Sequence, residues 1–263
     1  MPISELLQRL ERHQRRGSKP RCHLLTHGDR ADVAVRLSSL IQPHGQVVST
    51  DRWFPDGFAD IGEAKLGETV GLLSDAHRKA VTNWWLEVPK GANTPNWDIA
   101  GTCTVLDKPG LFLVEAKAHL NELPSDGKKP RPTRNGKKNH EQTGRAITEA
   151  NTALSRLCDD WGISRDSHYQ LANRFAWSWK VASLGVPVIL VYLGFLNADE
   201  MVDRGPLIVS EAEWMHTMHG YCQGIAPTTV WSQTLEVNGT PLVPLIRAMK
   251  LDLAVSSTTG ASA

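Results

Sequence analysis

Cysteine is scarce in this chain and scattered: Cys22, Cys103, Cys158 and Cys222 are its only four in 263 residues, with no C-x-x-C spacing. That argues against a thiolate zinc site or a disulfide framework, and four reduced thiols suit a cytoplasmic protein. No apolar run is long enough for a membrane. The longest, Val186 to Leu196, covers about half a span, and the first residues carry charge where a signal peptide would be apolar. A soluble protein without membrane attachment is expected. Charge of one sign is not in excess either, since 29 Lys and Arg against 28 Asp and Glu leave a formal net charge of +1. Any attraction to a polyanion must be local. The G-x-S-x-G elbow, the Walker loop and the dinucleotide glycine fingerprint are all missing, and no internal repeat appears.

What remains is enough for a core. With 41% hydrophobic residues the chain suits one large domain or two small ones. Residues 1–60 read as a helical and irregular extension, 61–250 as an α/β domain, and 251–263 as a small, polar, disordered tail. Within the extension, Ile3, Leu6, Leu7 and Leu10 predict an amphipathic helix over 3–16. A helix is expected around Arg30 to Ile41, a strand around Gln46 to Ser49 and a turn at Phe54-Pro55-Asp56-Gly57. Helical spacing covers about 67–86. Strands are expected over 97–106 and 111–120, joined by the turn signal Asp107-Lys108-Pro109-Gly110. A basic loop over 124–138 follows, then helices at 139–158 and 167–182. The run Val186 to Leu193 predicts a buried central strand, a helix is expected over 210–222, and a short strand or two near 230–246. Helices between two strands imply a crossover, hence a mixed sheet flanked by helices.

The chemistry gathers on the strand pair. Alternation sends Glu115 and Lys117 to one face while Val114, Ala116 and Ala118 go to the other. A four-residue loop at 107–110 pairs Leu106 with Leu111 and puts Asp98 on the face of Glu115 and Lys117. In that register the two carboxylates lie too far apart to share a metal without strand curvature or a bulge near Gly101. Two acids and a lysine on one face are what metal-assisted phosphodiester hydrolysis asks for. Asp98 and Glu115 would hold Mg²⁺, with Mn²⁺ as a substitute and the Ala116 carbonyl as a third donor. Lys117 would orient or deprotonate the attacking water, or stand as a fixed cation.

Asp98 followed by Glu115-x-Lys117 after an apolar strand resembles the bipartite motif of the PD-(D/E)xK nucleases, the restriction-endonuclease-like superfamily. Trp97 stands where the name-giving motif has proline. The resemblance implies an αβββαβ core, a divalent metal, and cleavage of DNA or, less often, RNA. It also implies a further acid from the helix before the first core strand, for which Glu68 is chosen with Glu63 and Glu87 as rivals. A glutamine facing the site from the later helix is matched in placement by Gln170. The function expected is a Mg²⁺-dependent deoxyribonuclease, a hydrolase that leaves room for a homodimer. The alternative is a nuclease-like domain that binds nucleic acid or a protein partner without cutting.

Other residues are read more plainly. Lys128, Lys129, Arg131, Arg134, Lys137 and Lys138 leave the proposed catalytic strand together and are either a solvated loop or backbone-phosphate contacts. His119 and the helix pair Asn173 and Arg174 are read as structural, with a contact to the cleft as the rival reading. The N-terminal arginines are read as a solvated face. Most of the nine tryptophans sit among apolar neighbours and are read as core rather than base-stacking platforms.

Overall fold

The computed structural model describes residues Pro2 to Leu253, so the expected tail lies outside the described residues from position 254 on. Elements follow in the order α1 (Ile3–Leu7), α2 (Ser18–Leu25), α3 (Arg30–Ile41), β1 (Gly45–Gln46), β2 (Trp53–Phe54), β3 (Ala64–Lys65), α4 (Asp75–Trp85), β4 (Asn96–Trp97), β5 (Ile99–Val105), β6 (Lys108–Lys117), α5 (Arg134–Leu154), α6 (Tyr169–Ser183), β7 (Val188–Leu196), α7 (Glu211–Tyr221), β8 (Leu235–Val237) and β9 (Thr240–Lys250). Short 3₁₀ turns occupy Arg12–Gln14, Leu120–Glu122, Asp199–Met201 and Thr228–Val230. The fold is α/β: a mixed seven-stranded sheet ordered β1-β5-β6-β7-β9-β8, with β2 also pairing with β5, flanked by helices. Among the described residues, no helix is long and apolar enough to cross a membrane, and the four cysteines are free.

Alternation along β6 and β7 divides the core in two. On one face Phe112, Val114, Ala116, Ile189, Val191 and Leu193 pack under α2 and α3. On the other, Leu111, Leu113, Leu190 and Tyr192 pack under α4, α5, α6 and α7. The expected helix over Arg30 to Ile41 is found at those bounds. Asp29 caps it by accepting from the Ala31 N–H at 2.8 Å, and Val33, Leu37 and Ile41 return to the buried side at helical spacing.

Several boundaries differ from the sequence expectations, each for a local reason. The N-terminal helix stops at Leu7 and gives way to a 3₁₀ turn. The helix expected from residue 67 starts only at Asp75, because Gly71 takes φ +96° and Ser74 supplies the N-cap by accepting from the His77 N–H. Conversely α5 begins at Arg134, inside the expected loop, where Thr133 caps it by accepting from the Gly136 N–H. Residues 1–60 are no mere extension: β1 and β2 pair with β5, while α2 and α3 cover one sheet face. These strands, upstream of α4, take the place beside β5, whereas β4 pairs with β3 in a separate two-stranded ladder.

The largest difference is the hairpin. Val105 pairs with Lys108 and Thr102 with Leu111, so the turn is the two-residue Leu106-Asp107 rather than 107–110. Both residues have positive φ, 44° and 63°, the backbone that a tight hairpin turn matching strand twist requires. Pro109 then lies inside β6, before β7 begins pairing at Leu111, and its missing N–H leaves no gap in that ladder. Compared with the expected register the strands slide by four residues. The slide is even, so every side chain keeps its face. Gly101 needs no bulge; a Cβ there would lie 2.5 Å from the Phe112 ring and 2.6 Å from the Arg52 carbonyl.

Candidate active site

The new register solves the reach problem. Ile99 pairs with Val114 at the end of the β5–β6 ladder, which brings Asp98 level with Glu115. The Ala116 N–H donates to Asp98 Oδ2 at 2.7 Å and ties the carboxylate to the edge of β6. Residues of a ladder direct N–H and C=O to the same side, so the Ala116 carbonyl faces Asp98 as well. Glu115 and Lys117 project together from the opposite side of β6 to Ala116, and both are buried, at 2% and 5% exposure.

A carboxylate that deep needs partners. Lys117 Nζ donates to Glu115 Oε1 at 2.5 Å, and Arg174 of α6 donates to Oε2 at 2.6 Å. Arg174 also donates to the Asn173 side chain at 2.8 Å, and its guanidinium lies 4.5 Å from the centre of the Trp97 ring. Burial pushes the Glu115 carboxyl up, but Arg174 and Lys117 outweigh it and hold its pKa below the ordinary glutamate value. Burial likewise pulls the Lys117 ammonium down, yet Glu115 and Asp98 leave its pKa above that of free lysine, so it is a cation at neutral pH. Asp98 fares differently. Burial first, and the Glu115 charge second, push its pKa up to about 7 against the pull of Lys117, the Ala116 N–H and Arg174.

Asp98, Glu115 and Arg174 open into a cavity of about 570 Å³, and Lys117 lies behind its lining. Gln170, Asn173, Lys128, Lys129 and Arg131 line it with them, so most of the residues singled out from sequence meet there. Lys128 donates to the Tyr169 hydroxyl at 2.9 Å, and burial followed by Arg131 lowers its pKa. The other three cations of the expected loop, Arg134, Lys137 and Lys138, do not line the cavity, although Thr133, Asn135 and Gly136 do. Lys138 pairs with Glu87 at 3.1 Å, and Arg134 and Lys137 are exposed in the first turn of α5.

Among the acids weighed for a third ligand, Glu68 lies outside the cavity, half-exposed and 3.3 Å from Lys65. Glu87 is likewise outside, held by Lys138 and Arg145. Glu63 does line the cavity, and it accepts from Asn96 at 2.9 Å and pairs with Lys19 at 2.8 Å. Among the described residues no group of three or more Asp, Glu, His or Cys side chains gathers at metal-binding distance. The oxygen donors available are Asp98, Glu115 and the Ala116 carbonyl. Arg174, read from sequence as structural with a contact to the cleft as the rival reading, takes the rival's place and is part of the cluster. Its signal was a guanidinium flanked by the apolar Leu171, Ala172, Phe175, Ala176 and Trp177.

No protein-family model, curated protein or solved structure matches this chain. The functional reading therefore rests on the residues themselves.

Proposed function

We propose that this chain is a metal-dependent nuclease with a restriction-endonuclease-like core, hydrolysing phosphodiester bonds in DNA. The observation that carries the reading is the hairpin register that sets Asp98 beside Glu115, with Lys117 on the same face, at a cavity edged by Lys128, Lys129 and Arg131. The donor set fits Mg²⁺ or Mn²⁺. It is all oxygen, and hard cations of this kind are commonly held by one or two carboxylates with water and substrate phosphate completing the shell. Asp98 also has a carboxylate oxygen beyond the one bonded to Ala116, and its raised pKa marks a negative charge still short of positive neighbours. Asp98, Glu115 and the Ala116 carbonyl would hold the ion, which when bound lowers the pKa of a coordinated water and neutralises charge on the phosphate.

The protein's own groups do the rest. Lys117, protonated and fixed by Glu115, offers a cation to charge developing on the phosphoryl oxygens. Arg174 stiffens Glu115 from behind, and Lys128, Lys129 and Arg131 attract and orient the backbone. Plasmid, linear duplex and single-stranded DNA incubated with Mg²⁺, Mn²⁺ or EDTA test the proposal. Cutting should require the metal and fall by about 10²–10⁴-fold in a folded Lys117→Ala variant. Undiminished cutting by that variant would sink the assignment.

A second reading, a nucleic-acid-binding domain that does not cut, has one observation in its favour: both oxygens of Glu115 already accept from cations. Salt-sensitive DNA binding with no hydrolysis under any metal would select it.

A further inference from the structure

Beyond Lys117 the same strand face runs on into a second concavity. His119 follows Lys117 by one same-face step, about 6.6 Å of strand, and lines a cleft of about 1160 Å³ with Arg12, Arg15, Arg16, Asn121 and Arg204. Among the described residues the one carboxylate lining it is Glu122, whose oxygens accept from the Ala118 N–H at 2.6 Å and lie 3.6 Å from His119. Four arginines thus line it with one acid, and a second, Asp203, stands beside Arg16 and Arg204. Among the described residues the Arg12 guanidinium has no hydrogen-bonded partner, and the Arg15 guanidinium donates only to the Leu10 and Gln8 carbonyls. Arg204 comes no nearer than 3.9 Å to Asp203, while Arg16 alone is fully engaged there.

These arginines do not hang on a loose tail. Arg16 bridges to Asp203 and to the Glu200 carbonyl, and the buried Arg21 pairs with Glu200 while donating to the Gly17 carbonyl at 3.0 Å. The Leu120 N–H donates to the Pro206 carbonyl, and Asn121 donates to the Arg204 carbonyl, each at 2.9 Å. Three separate segments are tied into one wall. Its cationic heads converge with too few acids to neutralise them, an arrangement that favours an anion with several charges.

We propose that this cleft is a second backbone-phosphate site, holding the nucleic-acid strand on the side of the scissile bond opposite the Lys128–Arg131 loop. Glu115 opens into the first cavity, His119 into the second, and Lys117 stands between them on β6. A strand running along β6 would meet cations on both sides of the reacting phosphate. The proposal rests on the nuclease reading and adds to it a substrate several nucleotides long, gripped at both ends.

The test uses the full chain in EDTA, so that binding is measured without cutting. Filter binding of a single-stranded and a duplex oligonucleotide between about 50 and 200 mM salt gives the slope of log affinity against log salt. Arg12→Ala/Arg204→Ala should weaken duplex binding by about tenfold and flatten the slope by roughly 0.9 per lost phosphate contact. Arg12→Lys/Arg204→Lys, which keeps both charges, should retain most of the slope and shows that the loss is not misfolding. With Mg²⁺ restored, KM for long DNA should rise in the alanine variant while kcat holds. A double variant with wild-type affinity and slope, in a protein that binds and cuts DNA, overturns the cleft alone. A wild-type protein that neither binds nor cuts DNA overturns the nuclease reading and the cleft's ligand with it. Loss of binding to phosphatidylserine vesicles without loss of DNA binding would make the cleft a membrane contact and overturn the proposal too.

Discussion

The two faces of the central sheet are built from alternate residues of the same strands and have opposite characters. Under α2 and α3 the face is apolar, with Val114, Ala116, Ile189, Val191 and Leu193 all buried. Under α5 and α6 it begins the same way at Leu111 and Leu113, then changes at Glu115 to three consecutive inward polar positions, Glu115, Lys117 and His119. The difference teaches where stability and chemistry were put. A buried ion cluster is a poor way to hold a fold, because desolvating each charge costs several kcal/mol that mutual attraction only partly returns. The apolar face carries the sheet. The polar face instead spends its charges on one another, Lys117 and Arg174 both donating to Glu115.

The sharpest way to break this contrast is to attack the ion cluster in two ways. Arg174→Ala leaves Glu115 half-paired in the interior and should cost about 3–5 kcal/mol, read by chemical denaturation. Replacing the whole cluster, Glu115→Leu with Lys117→Met and Arg174→Met, should instead return stability to the wild-type level or raise it by about 1–4 kcal/mol, with cutting abolished. A triple variant as weak as the single one would mean that the ions support the fold. On the apolar face no such rescue exists, and Phe112→Ala should cost about 3–5 kcal/mol.

A smaller effect separates Asp98 from Glu115. Asp98 takes up its proton at about 7 in the folded chain, against an ordinary aspartate value of 3.8. Between those values the folded protein holds more protons than the unfolded one, so stability falls as pH rises through that window and the penalty is complete above it. In EDTA, Asp98→Asn should therefore be more stable than wild type at pH 8, by at most about 4 kcal/mol, and the gain should fade by pH 4. An equal gain at both pH values would show that the effect is not ionic. Smallest of all, Lys138→Ala removes only an exposed pair with Glu87 and should shift stability by at most about 0.5 kcal/mol, leaving KM for DNA unchanged. A clear rise in KM would extend the phosphate-binding surface along α5.

How much of this could be read from sequence follows from the length over which each signal acts. The alternation from Leu111 to Lys117 and the run from Val188 to Leu196 are long and one-sided, and both strands were legible. So was the shared face of Asp98, Glu115 and Lys117, since a slide of four residues preserves parity. The turn was not. Asp107-Lys108-Pro109-Gly110 carries aspartate, proline and glycine, three of the common turn residues, whereas Leu106-Asp107 lacks the glycine or asparagine that usually marks positive φ. β1 and β2 have two residues each, too few for any period to show. Arg174 and the Glu63–Lys19 pair depend on which helix face meets which strand end. That is tertiary information, and spacing within one element does not contain it. The N-terminal arginines, read as a solvated face, needed the same information before their convergence with Arg204 could be seen.

The tryptophans turn the asymmetry of the sheet into an optical one. Eight of the nine pack on the face that carries the ion cluster, and Trp53 alone lies on the other. Trp97 has the Arg174 guanidinium over its ring. Ultraviolet emission from this chain is therefore nearly a one-sided report, and whatever displaces Arg174 from Glu115 changes the charge resting on one of its emitters. The unlabelled protein carries its own gauge of the site, and Trp97→Phe would blank that channel while leaving the other eight indoles as the reference.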